Sequence, residues 1–269
     1  MMEILQAILL GIVEGLTEFL PISSTGHLIV AEDLIGYKDT AEIFTVVIQM
    51  GAIAAVLWFY RNDLIKKIIG IFSGDKNINK FWINWIVATI PAGILGFLAK
   101  DLIGEYSVSW LVAISLILGG IAIWLIEVYH KAPKNTGEAR LDDLTISQAF
   151  KVGIFQIVAL IPGVSRSGAT IMGGLLSGLD RVTATAFSFY LSIPIILLAG
   201  GYKLAKGHSE LDTITGGGIS VILGTISAFI TALVAIKWLL KYVSTNDFKL
   251  FAYYRIVLGS LILLVLALS

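Results

Sequence analysis

A short polar motif occurs twice inside otherwise apolar sequence, and its two copies lie 142 residues apart. The first runs from Ala7 through Gly11 and Glu14 to Glu18, then Leu20-Pro-Ile-Ser23-Ser24-Thr25-Gly26-His27. The second runs from Ala149 through Gly153 and Gln156 to Ile161-Pro-Gly-Val-Ser165-Arg166-Ser167-Gly168. At the constant offset Ala7 pairs with Ala149, Gly11 with Gly153, Glu14 with Gln156, Ser23 with Ser165, Thr25 with Ser167 and Gly26 with Gly168. The prolines miss by one position, so the copies diverge at the turn. Carboxylates, hydroxyls and an arginine are costly inside a bilayer and call for a functional explanation. Their duplication suggests one site built from two halves.

The surroundings are those of an integral membrane protein: 57 % of the residues are hydrophobic and only 14 % charged. Apolar stretches at Phe44–Tyr60, Trp82–Ala99, Trp110–Ile126, Ala184–Leu198, Ile219–Ile236 and Ile256–Leu268 mostly approach the length of a helix that crosses a hydrocarbon core of about 30 Å. The repeat segments, at roughly 4–36 and 147–180, are apolar too, but broken by Pro, Gly and hydroxyl residues. Residues 27–36 are too few to cross. Irregular backbone at membrane depth persists only when buried in protein or lining a wet cavity. The expected fold is therefore an all-α membrane protein of about six transmembrane helices plus two re-entrant helical hairpins, arranged as an inverted-topology repeat. It forms a single membrane domain, residues 1–269, with halves of about 1–130 and 145–269.

Lys and Arg counts orient this scheme. With alternating spans, one set of loops holds Arg61, Lys66, Lys67, Lys76, Lys80, Lys131, Lys134, Arg140, Lys151, Arg181, Lys237, Lys241 and Lys249. The other holds only Lys38, Lys100, Lys203 and Lys206. The first set is expected to be cytoplasmic, with both termini outside. Three spans per half is an odd number, so the halves face opposite ways and the hairpin tips, 23–27 and 162–170, can meet at mid-membrane. Net charge is zero, so there is no nucleic-acid footprint. The absence of cysteine excludes disulfides and thiolate chemistry. Glu14 and Glu18 fall where a signal peptide would be apolar, which marks this segment as mature structure.

Glu14 and Glu18 share a helix face, and with the hydroxyl-rich turn after them they resemble a metal- or proton-handling site more than a packing contact. Gly11 and Gly15 form a small-xxx-small pair that permits close helix approach. The run from Ser165 to Thr170 has the composition of a loop feeding a helix N-terminus, where free N–H groups and the helix dipole attract anions. Arg166 adds a guanidinium able to grip phosphate oxygens, or to neutralise Glu14 or Glu18. His27 is the histidine in apolar context and can serve as acid or base; His130 and His208 fall in polar loops. Ser24, the partner of Arg166 across the repeat, could place a hydroxyl nucleophile at an arginine-bound phosphorus. Gln49 and Ser188 are weaker candidates for the lining.

The segments Glu14-Gly-Leu-Thr-Glu18-Phe-Leu-Pro-Ile-Ser-Ser-Thr-Gly-His27 and Pro162-Gly-Val-Ser-Arg-Ser-Gly-Ala-Thr170, with the late Tyr254-Arg255 pair, closely resemble the bacterial undecaprenyl-diphosphatase family, linked to bacitracin resistance. The resemblance covers essentially the whole chain. It implies a multi-pass phosphatase of the bacterial cytoplasmic membrane, its site opening to the periplasmic side. The enzyme would convert undecaprenyl diphosphate to undecaprenyl phosphate and inorganic phosphate, using Mg²⁺ or Ca²⁺. It carries catalytic roles onto Ser24, His27, Glu18 and Arg166, and metal binding onto Glu14 and Glu18. Phosphate binding falls on Glu14, Ser23, Thr25, Ser165, Ser167 and Thr170. Ser24, His27 and an activated water remain rival nucleophiles. A prenyl-phosphate flippase or anion transporter would use the same inverted-repeat plan. Oligomeric state stays open, a homodimer included.

Overall fold

A computed structural model describes residues 2–37, 43–100, 108–133, 137–206 and 215–268. Lys38, Lys134 and His208 lie outside the described residues. The helices are α1 (Met2–Thr17), α2 (Ser24–Ile35), α3 (Ile43–Phe59), α4 (Arg61–Phe72), α5 (Lys76–Leu98) and α6 (Ser109–Tyr129). After a 3₁₀ turn at Leu141–Asp143 come α7 (Ile146–Val158), α8 (Arg166–Leu176), α9 (Arg181–Lys206), α10 (Gly217–Val243) and α11 (Lys249–Leu268). Among the described residues there is no strand, and five helices are long and apolar enough to cross a membrane, or six if α3 and α4 count as one bent span. The chain is an all-α multi-pass membrane protein.

Both broken segments are hairpins, and one hydrogen bond closes the base of each. Gln6 Nε2 donates to the Ile35 carbonyl at 2.7 Å, and Gln148 Nε2 donates to the Ser177 carbonyl at 3.1 Å. Donors and acceptors are related by the same offset as the motif. Each hairpin therefore returns to the side from which it starts. At one end of the molecule, Lys67 meets Asp63 and Asp142, and Lys80 Nζ donates to the Asp142 carbonyl at 3.0 Å. At that end Arg181 also pairs with Glu127, and His130 Nε2 bonds the Leu175 carbonyl at 2.8 Å. These contacts gather the turns joining α3, α5, α6, α7, α8 and α9, as alternating spans require.

The two halves interlock. Hairpin arm α1 packs along α10 of the second half, and α7 packs along α5 of the first. Glycine allows both approaches. A Cβ on Gly11 would stand 2.2 Å from the Gly224 carbonyl oxygen, and one on Gly153 would stand 2.7 Å from that of Ala88. Ala88 and Gly224 each precede a Thr-Ile dipeptide, so the packing is the same in both halves. The pair α6/α11 is its own counterpart, and α3 crosses α9 in the same self-related way. Inside α9, Pro194 has no N–H to offer the Tyr190 carbonyl, and the Trp85 indole donates there at 2.9 Å.

One element departs from the sequence expectation. The first span ends at Phe59, and the chain bends by 72° into α4. Charges at Arg61, Asp63, Lys66 and Lys67 exclude a longer span. Ile65, Ile68, Ile69 and Phe72 are exposed at the spacing of one helix face, while Lys67 and Gly70 turn inward. That pattern fits a helix lying along the membrane surface rather than through it.

Candidate active site

The two hairpin tips share an unusual backbone. Ser23 (φ 69°) and Ser165 (φ 76°) are the non-glycine residues with positive φ among the described residues. Such a conformation costs an L-residue roughly 1–3 kcal/mol and collects at functional sites. Each serine is also the N-cap of the next helix: Ser23 Oγ accepts from Gly26 N at 3.4 Å, and Ser165 Oγ accepts from Gly168 N at 3.1 Å. The chain thus turns sharply twice in the same way, and each turn presents a helix N-terminus.

Between the tips lies a cavity of about 200 Å³, lined by Glu18, Ser23, Ser24, Thr25, Ser165 and Arg166, with Gln49 from α3 and Ile195, Ile196 and Ala199 from α9. At its floor a chain of contacts joins the halves. Ser24 Oγ donates to Glu18 Oε2 at 2.6 Å, and Arg166 Nη2 donates to Glu18 Oε1 at 2.8 Å. Arg166 Nη1 donates to the Ser188 carbonyl at 3.0 Å, and its Nε is buried with no partner among the described residues. Arg166 pairs with Glu18, one of the two acids named for it from sequence, and it also borders the cavity.

Glu14 lies one helical turn deeper than Glu18, almost fully buried, within electrostatic reach of Glu18 and Arg166. Its Oε1 has no hydrogen-bond partner among the described residues. Among the described residues, no group of three or more His, Asp or Glu side chains converges there. Two carboxylates, one with an orphaned oxygen, have donor chemistry that suits a hard divalent cation.

The remaining sequence candidates separate into two kinds. Ser23, Thr25 and Ser165 border the cavity. Ser167 and Thr170 are fully buried and engaged elsewhere. Ser167 Oγ donates to the Leu20 carbonyl at 2.7 Å, tying one tip to the other, and Thr170 Oγ1 donates to Ser188 Oγ at 2.7 Å behind Arg166. His27 is not part of the lining. Its Nδ1 faces the Ser23 carbonyl at 2.7 Å, so Nδ1 carries the proton; in the neutral ring Nε2 then accepts from the Tyr254 hydroxyl at 2.6 Å. The two rings lie parallel with centroids 5.5 Å apart.

Arg255, a residue that sequence reasoning noticed only as part of a resemblance, holds the tips in register. It is fully buried. Its Nη1 donates to the carbonyls of Pro21 (3.2 Å) and Val164 (2.9 Å), one in each turn. Its Nη2 donates to Gly163 (3.2 Å) and Ser115 (3.1 Å), and its Nε to Leu116 (3.3 Å). Room for the guanidinium comes from Gly119, where a Cβ would stand 2.1 Å from Nη2. A turn that leaves helical geometry strands its carbonyls, and the fixed N–H fork satisfies three of them while its remaining bonds anchor it to Ser115 and Leu116 of α6.

Known proteins resemble this chain over nearly its whole length. The family model described as bacitracin resistance protein BacA matches residues 7–261. The undecaprenyl-diphosphatase of Nitrosomonas europaea is 49 % identical over 264 residues, covering 97 % of this chain and 94 % of that protein. That of Methylobacillus flagellatus is 48 % identical over 265 residues, with 97 % of each chain covered. That of Clostridium tetani is 44 % identical over 266 residues, covering 98 % of this chain and 97 % of the relative.

Proposed function

Because the chain belongs to the bacitracin resistance protein BacA family, we propose that it is a membrane phosphatase that hydrolyses undecaprenyl diphosphate to undecaprenyl phosphate and inorganic phosphate. The observation that carries this reading is the contact of the two tips, where Arg166 of one half and Ser24 of the other hold the two oxygens of Glu18 at the floor of a cavity. A hydroxyl, a carboxylate able to take its proton and a guanidinium fork are what transfer of a phosphoryl group to a serine requires.

Ser24 Oγ attacks the terminal phosphorus, and its proton passes to Glu18 Oε2. The bond from that phosphorus to the bridging oxygen breaks, and undecaprenyl phosphate leaves with the electron pair. Arg166 turns its Nη2 and free Nε to the equatorial oxygens, where negative charge gathers. Backbone N–H groups at the starts of α2 and α8 add donors. Water then cleaves the phosphoseryl ester, restoring the Ser24 hydroxyl and releasing inorganic phosphate. In this second step Glu18 returns its proton to Ser24 Oγ and one proton of the water passes to a phosphate oxygen. The proton role expected of His27 would require its Nε2 to leave Tyr254 and reach the cavity. Glu14 and Glu18 would hold a Mg²⁺ or Ca²⁺ ion, whose charge would offset that of the diphosphate.

The cation-rich loops belong on the cytoplasmic side under the positive-inside rule. The cavity wall from α9, Ile195 to Ala199, lies in the half of that helix remote from those loops. This supports a site opening to the outer face of the cytoplasmic membrane.

The test is phosphate release by purified protein in detergent, with and without divalent cation, followed by quenching with labelled substrate. The reading expects steady release, its loss in Arg166→Ala and Glu18→Ala, and label retained in acid but removed by alkali, as for phosphoserine. Acid-labile label would move the attack to His27. Movement of substrate across sealed vesicles without hydrolysis would replace the enzyme with a carrier.

A further inference from the structure

Beyond the cavity, a lysine of α9 and a lysine just past the end of α5 approach the same place. On α9, Ile195 and Ala199 line the cavity. Tyr202 and Lys206 follow at the spacing that continues the same helix face, roughly 5 and 10 Å further along the axis at 1.5 Å per residue. On α5, a Cβ on Gly96 would touch Leu160 at 3.1 Å, and the neighbours of Leu160, Ala159 and Ile161, belong to the cavity wall. Lys100 lies four residues beyond Gly96, just past the end of α5 at Leu98.

The two faces converge. Lys100 Nζ donates to the Tyr202 hydroxyl at 2.8 Å and lies 4.7 Å from the centre of its ring. It also lies 4.6 Å from the ring centre of Phe97. Lys206 Nζ stands 5.2 Å from the Tyr202 ring on the same cluster. Two ammonium groups are thus held around one tyrosine, on the α9 face that continues from the cavity wall at Ala199. Aromatic contacts restrain both stems and lower the entropy lost when an anion binds.

We propose that Lys100, Tyr202 and Lys206 form a recruiting subsite for the anionic head group of a lipid diphosphate, capturing it at the membrane surface before it descends to Arg166. This rests on the phosphatase reading. Two charges near the mouth raise the local concentration of an anion and add little to its reaction once bound, so the effect falls on KM rather than kcat.

The experiment compares wild type with the Lys100→Gln/Lys206→Gln double variant and its Lys→Arg counterpart, using undecaprenyl diphosphate in micelles of uncharged detergent. At low salt the Gln variant is expected to raise KM about ten-fold, with kcat within about two-fold of wild type. The gap should close as salt approaches about 0.5 M, because ions screen exposed charges. The Arg variant should restore KM. An unchanged KM at low salt would overturn the proposal, and so would a fall in kcat at constant KM. An effect that appears only after anionic phospholipid is added would assign the cluster to phospholipid head groups and overturn it as well. Absence of phosphate release from wild type would bring down the phosphatase reading itself, a readout distinct from the variants.

Discussion

The turns at Pro21–Ser24 and Pro162–Arg166 have nearly the same backbone and opposite chemistry. Both place a serine in the left-handed region as a helix N-cap, both hairpins are closed at the base by a glutamine, and Arg255 binds both turns. At the first helical position, however, one carries Ser24 and the other Arg166. One arm holds Glu14 and Glu18 where the other holds Gln156 and Leu160. The shared features are those that hold a strained turn at membrane depth. The divergent ones are those that would touch substrate. The repeat supplies the frame, and the chemical asymmetry lies in the residues that differ between its copies.

The exchange Ser24→Arg with Arg166→Ser breaks the comparison most directly. If only the backbone mattered, the exchanged protein would still work. Because Glu18 lies only in the first arm, phosphate release is expected to fall by at least ~10³-fold, as when a principal charge-stabilising donor is removed. Activity near that of wild type would mean that the halves are chemically interchangeable.

Next in size comes the shared clamp. Arg255→Lys keeps the charge but loses the planar fork, leaving several turn carbonyls unsatisfied. We expect kcat to fall by about 10²-fold while the protein still purifies as a folded species, since misplacement by about 1 Å can cost that much. Normal kcat would show that the turns hold themselves.

Much of this frame was legible in the sequence, and the reasons for the rest are physical. The constant offset exposed both hairpins, because Gly, Pro and hydroxyl residues inside apolar runs have few structural explanations. It also paired Ser24 with Arg166. Gln6 and Gln148 obey the same offset and extend the repeat one residue upstream of Ala7, a signal available but not used. Arg255 was not legible as a clamp. A lone arginine early in the last span resembles a residue that reaches for the interface, and its acceptors are backbone carbonyls up to 234 positions away. Helix α4 hid because its apolar residues are too few for a span and its charges suggested a loop. Ser167 and Thr170 looked like phosphate ligands because a hydroxyl's composition does not disclose its direction.

Smaller effects sharpen the comparison between the arms. Gly11→Ala and Gly153→Ala should each destabilise the protein by roughly 1–3 kcal/mol, as overpacking does. Gly11 should suffer more, because its Cβ would come closer to backbone, 2.2 Å against 2.7 Å. Thermal unfolding in detergent reads the order, and a reversed order would mean that α10 yields more easily than α5. Smallest is the cap. Ser165→Ala should cost roughly 1 kcal/mol more than Ser165→Gly, because glycine accepts the left-handed conformation that alanine resists. Equal costs would show that the positive φ carries no strain.

The packing of α1 along α10 also sets a timetable for assembly. Helix α1 rests against residues 217–243, which are made about 200 residues after it. At 5–20 residues per second that is a wait of roughly ten to forty seconds. For most of it Glu14 and Glu18 have no Arg166 to answer them, and throughout it Gly11 has no helix to meet. A nascent chain in that state exposes two acids to lipid or to the insertion machinery. The first hairpin would take its seat last, after the helices that enclose it.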